Sequence, residues 1–175
     1  VSETVQAVVA FGSNLGDSAS LICWAMDRLE SRSIGPLLRS SLWSSTPVDC
    51  PPGSPIFTNA VAILTPPQGD SPEAWLDFLQ TVEKEAGRRP KLVHNESRPL
   101  DLDLIVWGNQ TRNTRELILP HPRAQERRFV LQPLAELVPG YCFPGQSLSI
   151  TDLFIGSHRM TSSGFVLLES DRGPR

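Results

Sequence analysis

Between Leu100 and Trp107 the chain reads Leu-Asp-Leu-Asp-Leu-Ile-Val-Trp, and this alternation constrains the fold more than any other segment. Residues two apart in a strand share a face, so Leu100, Leu102, Leu104 and Val106 are expected on one side and Asp101 and Asp103 on the other. Such a strand rests one face on a core and leaves the other to water or a cation. Asp is depleted in strands, and like charges on one face repel. A divalent metal answers both objections, because Mg2+ takes one or two carboxylates and completes its shell with water and substrate phosphates. The plainer alternative is an open face on which both carboxylates meet water.

Three further strands are expected. Val5 to Phe11 is β-branched and apolar and stops at Gly12-Ser13-Asn14-Leu15-Gly16-Asp17, a run read as a tight turn into a helix. Leu38 to Ser45 and Phe57 to Leu64 are the other two, joined by a loop from Thr46 to Pro55 that holds four prolines. Two amphipathic helices lie between the strands. One runs from Ser18 to about Ser31, with Ile22, Ala25, Met26 and Leu29 at helical spacing. The other runs from Pro72 to Ala86, opened by Ser71-Pro72-Glu73 and closed by Gly87.

The order strand, helix, strand, strand, helix, strand points to an α+β, ferredoxin-like βαββαβ sandwich with an antiparallel sheet. A C-terminal arm holding Leu117 to Pro122 follows, with a short helix near Gln132 to Leu137. Phe165 to Leu168 is expected either to add a strand or to dock loosely, and the last five residues are expected to fray. Residues 1–175 are read as one domain, with a core from about 5 to 155 and a tail from 156 to 175.

Composition narrows the class of function. A length of 175 residues suffices for a core without a disulfide or structural metal. The 16 prolines against 12 glycines predict stiff loops rather than low complexity. Cys23, Cys50 and Cys142 are odd in number and lack CxxC spacing, which fits a reducing compartment. No basic-then-apolar leader opens the sequence, and no apolar run approaches the roughly 18 residues of a membrane span, so a cytoplasmic protein is expected. A net charge of -3 argues against general nucleic-acid binding, so an anionic ligand must meet a local basic patch.

Two such patches exist. Between Gly87 and Arg98, four cationic residues (Arg88, Arg89, Lys91 and Arg98) stand against one acid, Glu96, and the loop leads straight into the Asp101/Asp103 strand. Guanidinium groups beside metal-binding carboxylates are suited to triphosphates and phosphoryl-transfer charge. The second is His121-Pro122-Arg123-Ala124-Gln125-Glu126-Arg127-Arg128-Phe129. There is no GxxxxGK[ST], GxSxG or HExxH. Asn59, alone among apolar residues in its strand, either ties down the Pro-rich loop or hydrogen-bonds a flat polar ligand.

Taken together, Phe11-Gly12-Ser13-Asn14-Leu15-Gly16-Asp17, Phe57-Thr58-Asn59-Ala60, Arg98-Pro99-Leu100-Asp101-Leu102-Asp103, Pro120-His121-Pro122 and Arg127-Arg128-Phe129 resemble the 6-hydroxymethyl-7,8-dihydropterin pyrophosphokinase family from about Val5 to Pro144. The resemblance implies the ferredoxin-like fold and transfer of pyrophosphate from ATP to the hydroxymethyl group of a reduced pterin, releasing AMP, in folate biosynthesis. It implies that Asp101 and Asp103 hold two Mg2+ ions and that Arg88 and Arg98 are the catalytic-loop arginines. Gln80, Glu83, Leu104, His121 and Arg127 fall at ATP contacts. Asn59 with the main chain of Thr46 and Val48 falls at the pterin hydrogen bonds, and Phe57 and Phe129 at the stacking pair. Partners are then two small molecules, ATP and the pterin, with no nucleic acid or membrane and a monomeric chain. The sequence departs from many relatives at Asn95-Glu96-Ser97-Arg98, where they carry Trp-Gly-Pro-Arg, and at Pro90, where some carry Arg. The rival readings are a non-catalytic ferredoxin-like module that senses a nucleotide or metabolite, and another Mg2+-dependent phosphotransferase without the pterin pocket.

Overall fold

The computed structural model describes residues 5–47, 50–94, 96–157 and 165–167. Strand β1 (Ala7–Ser13) is followed by α1 (Ser18–Glu30), β2 (Leu38–Arg39), β3 (Trp43–Ser45), β4 (Phe57–Leu64), α2 (Pro72–Glu85) and β5 (Asp101–Trp107). A small ribbon, β6 (Arg112–Asn113) and β7 (Ile118–Leu119), leads to α3 (Arg128–Leu137), α4 (Ile150–Ser157) and β8 (Phe165–Leu167). The main sheet has the order β5-β1-β4-β3-β8, with β2 also on β4, and its recorded pairings are antiparallel. This is the ferredoxin-like arrangement: the first strand lies between the third and the last of the βαββαβ unit.

The sheet carries a different layer on each face. Ala7, Val9, Phe11, Ala60, Ala62, Leu64, Leu102 and Leu104 pack with Ile22, Leu29, Trp75, Leu79 and Val82 of α1 and α2. On the other face Val8, Ala10, Val61, Ile63, Ile105 and Val106 pack against Val130, Leu131 and Leu134 of α3, with Phe143 and Ile150. Both long helices start on side-chain caps. Asp17 accepts from the Ser20 N–H at 3.1 Å and Ser71 from the Ala74 N–H at 3.1 Å. Gly87, at φ +88°, lets the chain leave α2 and turn back towards the sheet.

Several boundaries differ from the sequence reading. The first strand runs through Gly12 and Ser13, so Gly12 belongs to the sheet; the turn is made by Gly16, at φ +76°. The expected second strand is two pieces, because three residues, Ser40 to Leu42, stand opposite Ala60 and Val61. Ser40 repairs the break: its N–H donates to Val61 O and its Oγ accepts from Val61 N, each at 2.9 Å.

A second irregularity lies between β1 and β5, where Val8 faces Val106 and Val9 faces Leu104. Ile105 is the extra residue, so Val106 turns to the α3 side and does not share the Leu104 face. Helix α3 begins at Arg128 rather than Gln132, carries Pro133 in its interior and takes Phe129 into its first turn. The tail adds residues 165–167 to the β3 edge; residue 168 and the last five lie outside the described residues.

Candidate active site

On the α3 side of the sheet, β5 enters with Asp101 and Asp103 before it reaches the apolar Ile105. Strand alternation thus delivers both carboxylates to one face, as the pattern requires. Burial, and then the neighbouring Asp101 charge, pushes the Asp103 carboxyl above the usual carboxylate range. Arg127 answers it, with Nη1 3.4 Å from Asp103 Oδ2 and its guanidinium 5.4 Å from the centre of the Phe129 ring. Burial lowers the Arg127 pKa.

Arg88 is the hinge between α2 and β5. Its Nη1 donates to Asp101 Oδ1 at 2.8 Å and to Glu83 Oε1. Glu83, 8% exposed, also accepts from the Leu102 N–H at 2.7 Å, and burial pushes it up to about 7. Its carboxylate therefore fastens helix to strand and holds Arg88 in place, a role that its spacing on α2 does not reveal. Arg98 comes from the other end of the basic loop. Its Nε lies 3.7 Å from Asp101 Oδ2 and is buried without a hydrogen-bond partner among the described residues.

His121 follows the β6–β7 ribbon, tied by its N–H to Ile105 O at 2.9 Å. Its Nδ1 accepts from the Arg123 N–H at 3.2 Å, which leaves the proton on Nε2. Burial, followed by Arg127 and Arg123, pushes it down to about 4, so the ring is neutral near pH 7 and donates from Nε2.

The other half of the site lies across β1. Gly12 pairs with Asn59 of β4 on one side and with Asp101 of β5 on the other. A Cβ at Gly12 would stand 3.6 Å from Asn59 Oδ1 and 4.0 Å from Asp101 Cβ. The glycine therefore leaves a bare floor between amide and carboxylates. Two strand spacings make that floor about 10 Å wide. Asn59, 3% exposed, donates from Nδ2 to Ser45 Oγ at 2.7 Å and so braces the neighbouring strand. Phe57, two residues earlier, shares its face and is half-buried; Thr46 is exposed just beyond β3; Val48 lies outside the described residues.

Two expected ATP contacts stand apart from this cluster. Leu104 is 3% exposed in the layer beneath α1 and α2, on the face opposite Asp103, so only its main chain is left for a ligand. Gln80 is exposed on α2, one turn before Glu83. One residue of the cluster has no role assigned from the sequence beyond its place in a turn. Asn14, 3% exposed just past β1, bonds both the basic loop and the Pro-rich loop. Its signal was an amide among turn formers, indistinguishable in sequence from an ordinary turn residue.

The polar end of this face has a counterpart at the other end of the strands, a cavity of about 630 Å3 between Val8, Val106, Val138 and Tyr141. No carboxylate, arginine or histidine lines it. Among the described residues, Asn59, Arg88, Arg98, Asp103 and Arg127 instead gather around Asp101 and Gly12.

A family model described as 7,8-dihydro-6-hydroxymethylpterin-pyrophosphokinase (HPPK) matches residues 8–139. The chain belongs to this family. Among HPPK relatives, the 2-amino-4-hydroxy-6-hydroxymethyldihydropteridine pyrophosphokinase of Pseudomonas aeruginosa is 39% identical over 137 residues, covering 78% of this chain and 82% of that one. The folic acid synthesis protein fol1 of Pneumocystis carinii is 36% identical over 146 residues, covering 83% of this chain and 19% of that protein. The crystal structure of Plasmodium falciparum HPPK-DHPS wild type with pteroate shares the fold, with a TM-score of 0.67 at 14% identity over 88% of this chain and 42% of that one. The chain thus spans about a fifth of the fungal protein and under half of the Plasmodium chain.

The span matched to HPPK opens in β1 and closes just after α3, so Gly12, Asn59, Arg88, Arg98, both aspartates and Arg127 all lie inside it. No group of three or more His, Cys, Asp or Glu among the described residues is placed to hold a metal ion. Two carboxylates on one open face still fit Mg2+, which needs few protein ligands when phosphates and water complete its shell. No helix among the described residues is long and apolar enough to cross a membrane.

Proposed function

We propose that this chain transfers pyrophosphate from ATP to the hydroxymethyl group of 6-hydroxymethyl-7,8-dihydropterin, releasing AMP, as a step of folate biosynthesis. One observation carries the reading: Gly12 lies between Asn59 and Asp101, so a buried amide and a carboxylate pair share one uncovered floor. A flat heterocycle with amide-like edges suits the Asn59 end, and a polyphosphate suits the end ringed by arginines.

In the reaction, the pterin hydroxyl oxygen bonds to the β-phosphorus and the bond from that phosphorus to the α,β-bridging oxygen breaks. AMP keeps the bridging oxygen, and the hydroxyl proton passes to solvent. Asp101 and Asp103 would hold Mg2+, two ions in this reading, which supplies charge neutralisation at the phosphates and the attacking hydroxyl. Arg98, whose buried Nε has no hydrogen-bond partner among the described residues, donates to the transferring group. Arg88, held by Glu83, serves the leaving side. Neutral His121 donates to a phosphate oxygen from Nε2, and Arg127 adds charge beside it. Gln80 and the Leu104 main chain lie on the ATP side. Asn59 and the main chain of Thr46 and Val48 take the pterin edge, while Phe57 and Phe129 stack on its faces.

In the same reading the chain acts as a monomer in the cytoplasm. Cys23, Cys50 and Cys142, none of them in a disulfide, agree with a reducing compartment. The test is AMP release from ATP and Mg2+, with and without the pterin, on wild type and on the Asp101→Ala/Asp103→Ala double variant. Pterin-dependent AMP in wild type is expected, falling by about a thousandfold or more in the variant. ADP as product would replace this reading with an ordinary kinase. Nucleotide binding without turnover would replace it with a sensing module.

A further inference from the structure

We infer that Asn14 is a positioning residue that couples the pterin side of the site to the nucleotide side. The two ligand identities rest on the function proposed above; the coupling itself rests on geometry. Asn14 sits where β1 ends, 3% exposed, and reaches into two loops that are far apart in sequence. Its main-chain N–H donates to Arg98 O at 3.3 Å, and its Oδ1 accepts from the Arg98 N–H at 2.9 Å. Its Nδ2 donates to Ser97 Oγ and to Pro55 O, each at 3.4 Å. One planar amide thus holds the basic loop at the residue whose guanidinium faces Asp101, and holds the Pro-rich loop two residues before Phe57.

The residue type is required by that arrangement. An acceptor and two donors in one plane are what an Asn side chain offers, and at 3% exposure water cannot replace lost partners. Among the described residues both loops are irregular backbone at the rim of the sheet, and Asn14 bonds each of them. A nucleotide that orders Arg98 fixes the Asn14 amide, and the Pro-rich loop then has less freedom left to lose when the pterin binds. Linkage makes the effect reciprocal: the pterin must tighten nucleotide binding by the same factor.

The experiment measures the dissociation constant of 6-hydroxymethylpterin with and without Mg2+ and α,β-methylene-ATP, and that of the nucleotide with and without the pterin. It is done on wild type, Asn14→Ala, Asn14→Asp and Ser97→Ala. Asn14→Asp keeps the acceptor for the Arg98 N–H but replaces both Nδ2 donors. Wild type is expected to show a coupling factor of about 5 to 150. Asn14→Ala and Asn14→Asp should bring it to about 1 in both directions, and Ser97→Ala should lower it partway. Asn14→Asp is also expected to keep nucleotide affinity within about threefold of wild type, because the Arg98 bonds survive.

A purely structural role would lower the melting temperature and weaken both ligands while leaving their ratio intact. That pattern, or a full coupling factor in either Asn14 variant, overturns the inference, as does a wild type that binds both ligands independently. If Asn14→Ala does not fold, Asn14→Asp and Ser97→Ala decide the matter. A wild type that binds nucleotide but no pterin would instead remove the proposed function and is read separately.

Discussion

The two faces of the sheet are built from the same strands and obey different rules. On the α1/α2 side β1, β4 and β5 turn a long apolar run inward, from Ala7 to Phe11, Ala60 to Leu64 and Leu102 to Leu104, with polar Ser13 and Thr58 only at its end. On the α3 side the same strands change character along their length: Val8 and Ala10 give way to Gly12, Ile63 and Val61 to Asn59, and Ile105 to Asp103 and Asp101. The register brings these changes to one end, so the polar residues meet where the α3 layer stops. A sealed face yields stability, and a partly covered one yields a place where charge can be held close to a core.

The comparison breaks most visibly if an acid is moved by one residue. Leu102→Asp places a carboxylate in the dry layer and is expected to destabilise the fold by about 3–5 kcal/mol. Asp103→Leu, on the other face, removes only a partly exposed ion pair and should stay within about 1 kcal/mol of wild type. Urea unfolding of both measures the asymmetry, and equal costs would mean that the faces are not distinct.

Glu83 sharpens the contrast through pH. Its folded pKa, about 7, lies above the ordinary carboxylate value. The raised value means that the folded state favours the proton. Stability from this group is therefore full below about pH 4.5 and is lost as pH rises through 7. Glu83→Gln mimics the protonated form, so its stability relative to wild type should improve between pH 5 and pH 8, by about 3 kcal/mol at most. Unfolding curves at the two pH values test the sign. A relative stability of the variant that falls or stays level would show that the Arg88 and Leu102 contacts outweigh burial.

The smallest of these effects concerns the floor. Gly12→Ala adds a methyl at ordinary contact distance from Asn59 and Asp101, so the fold should persist. Pterin affinity should fall by about tenfold, the scale of one misplaced methyl in a fitted pocket, with nucleotide affinity changed far less. Titration of each ligand separately distinguishes a blocked floor from a general loss of binding.

Much of this was legible in the residues. Period two in the last strand of the βαββαβ unit placed Asp101 and Asp103 together, and helical period with Ser71, Pro72 and Gly87 placed α2 almost to the residue. The failures share one cause. Bulges at Ile105 and Ser40, the inclusion of Gly12 in β1 and the early start of α3 are settled by what each segment packs against, and a local pattern carries no record of its partner. For the same reason the bonds that Asn14 and Glu83 make to distant segments have no signal in the residues around them.

By itself, then, the sequence determined the order of elements, the apolar faces and the presence of two carboxylates on one side of a strand, because alternation and helical spacing are properties of a single segment. The tertiary structure alone decided that Gly12 would lie between Asn59 and Asp101, that Glu83 would hold Arg88, and that one amide at Asn14 would tie two loops together. Those are contacts between segments far apart in the chain, and they exist only once strand register and the two packed layers have fixed which residues meet.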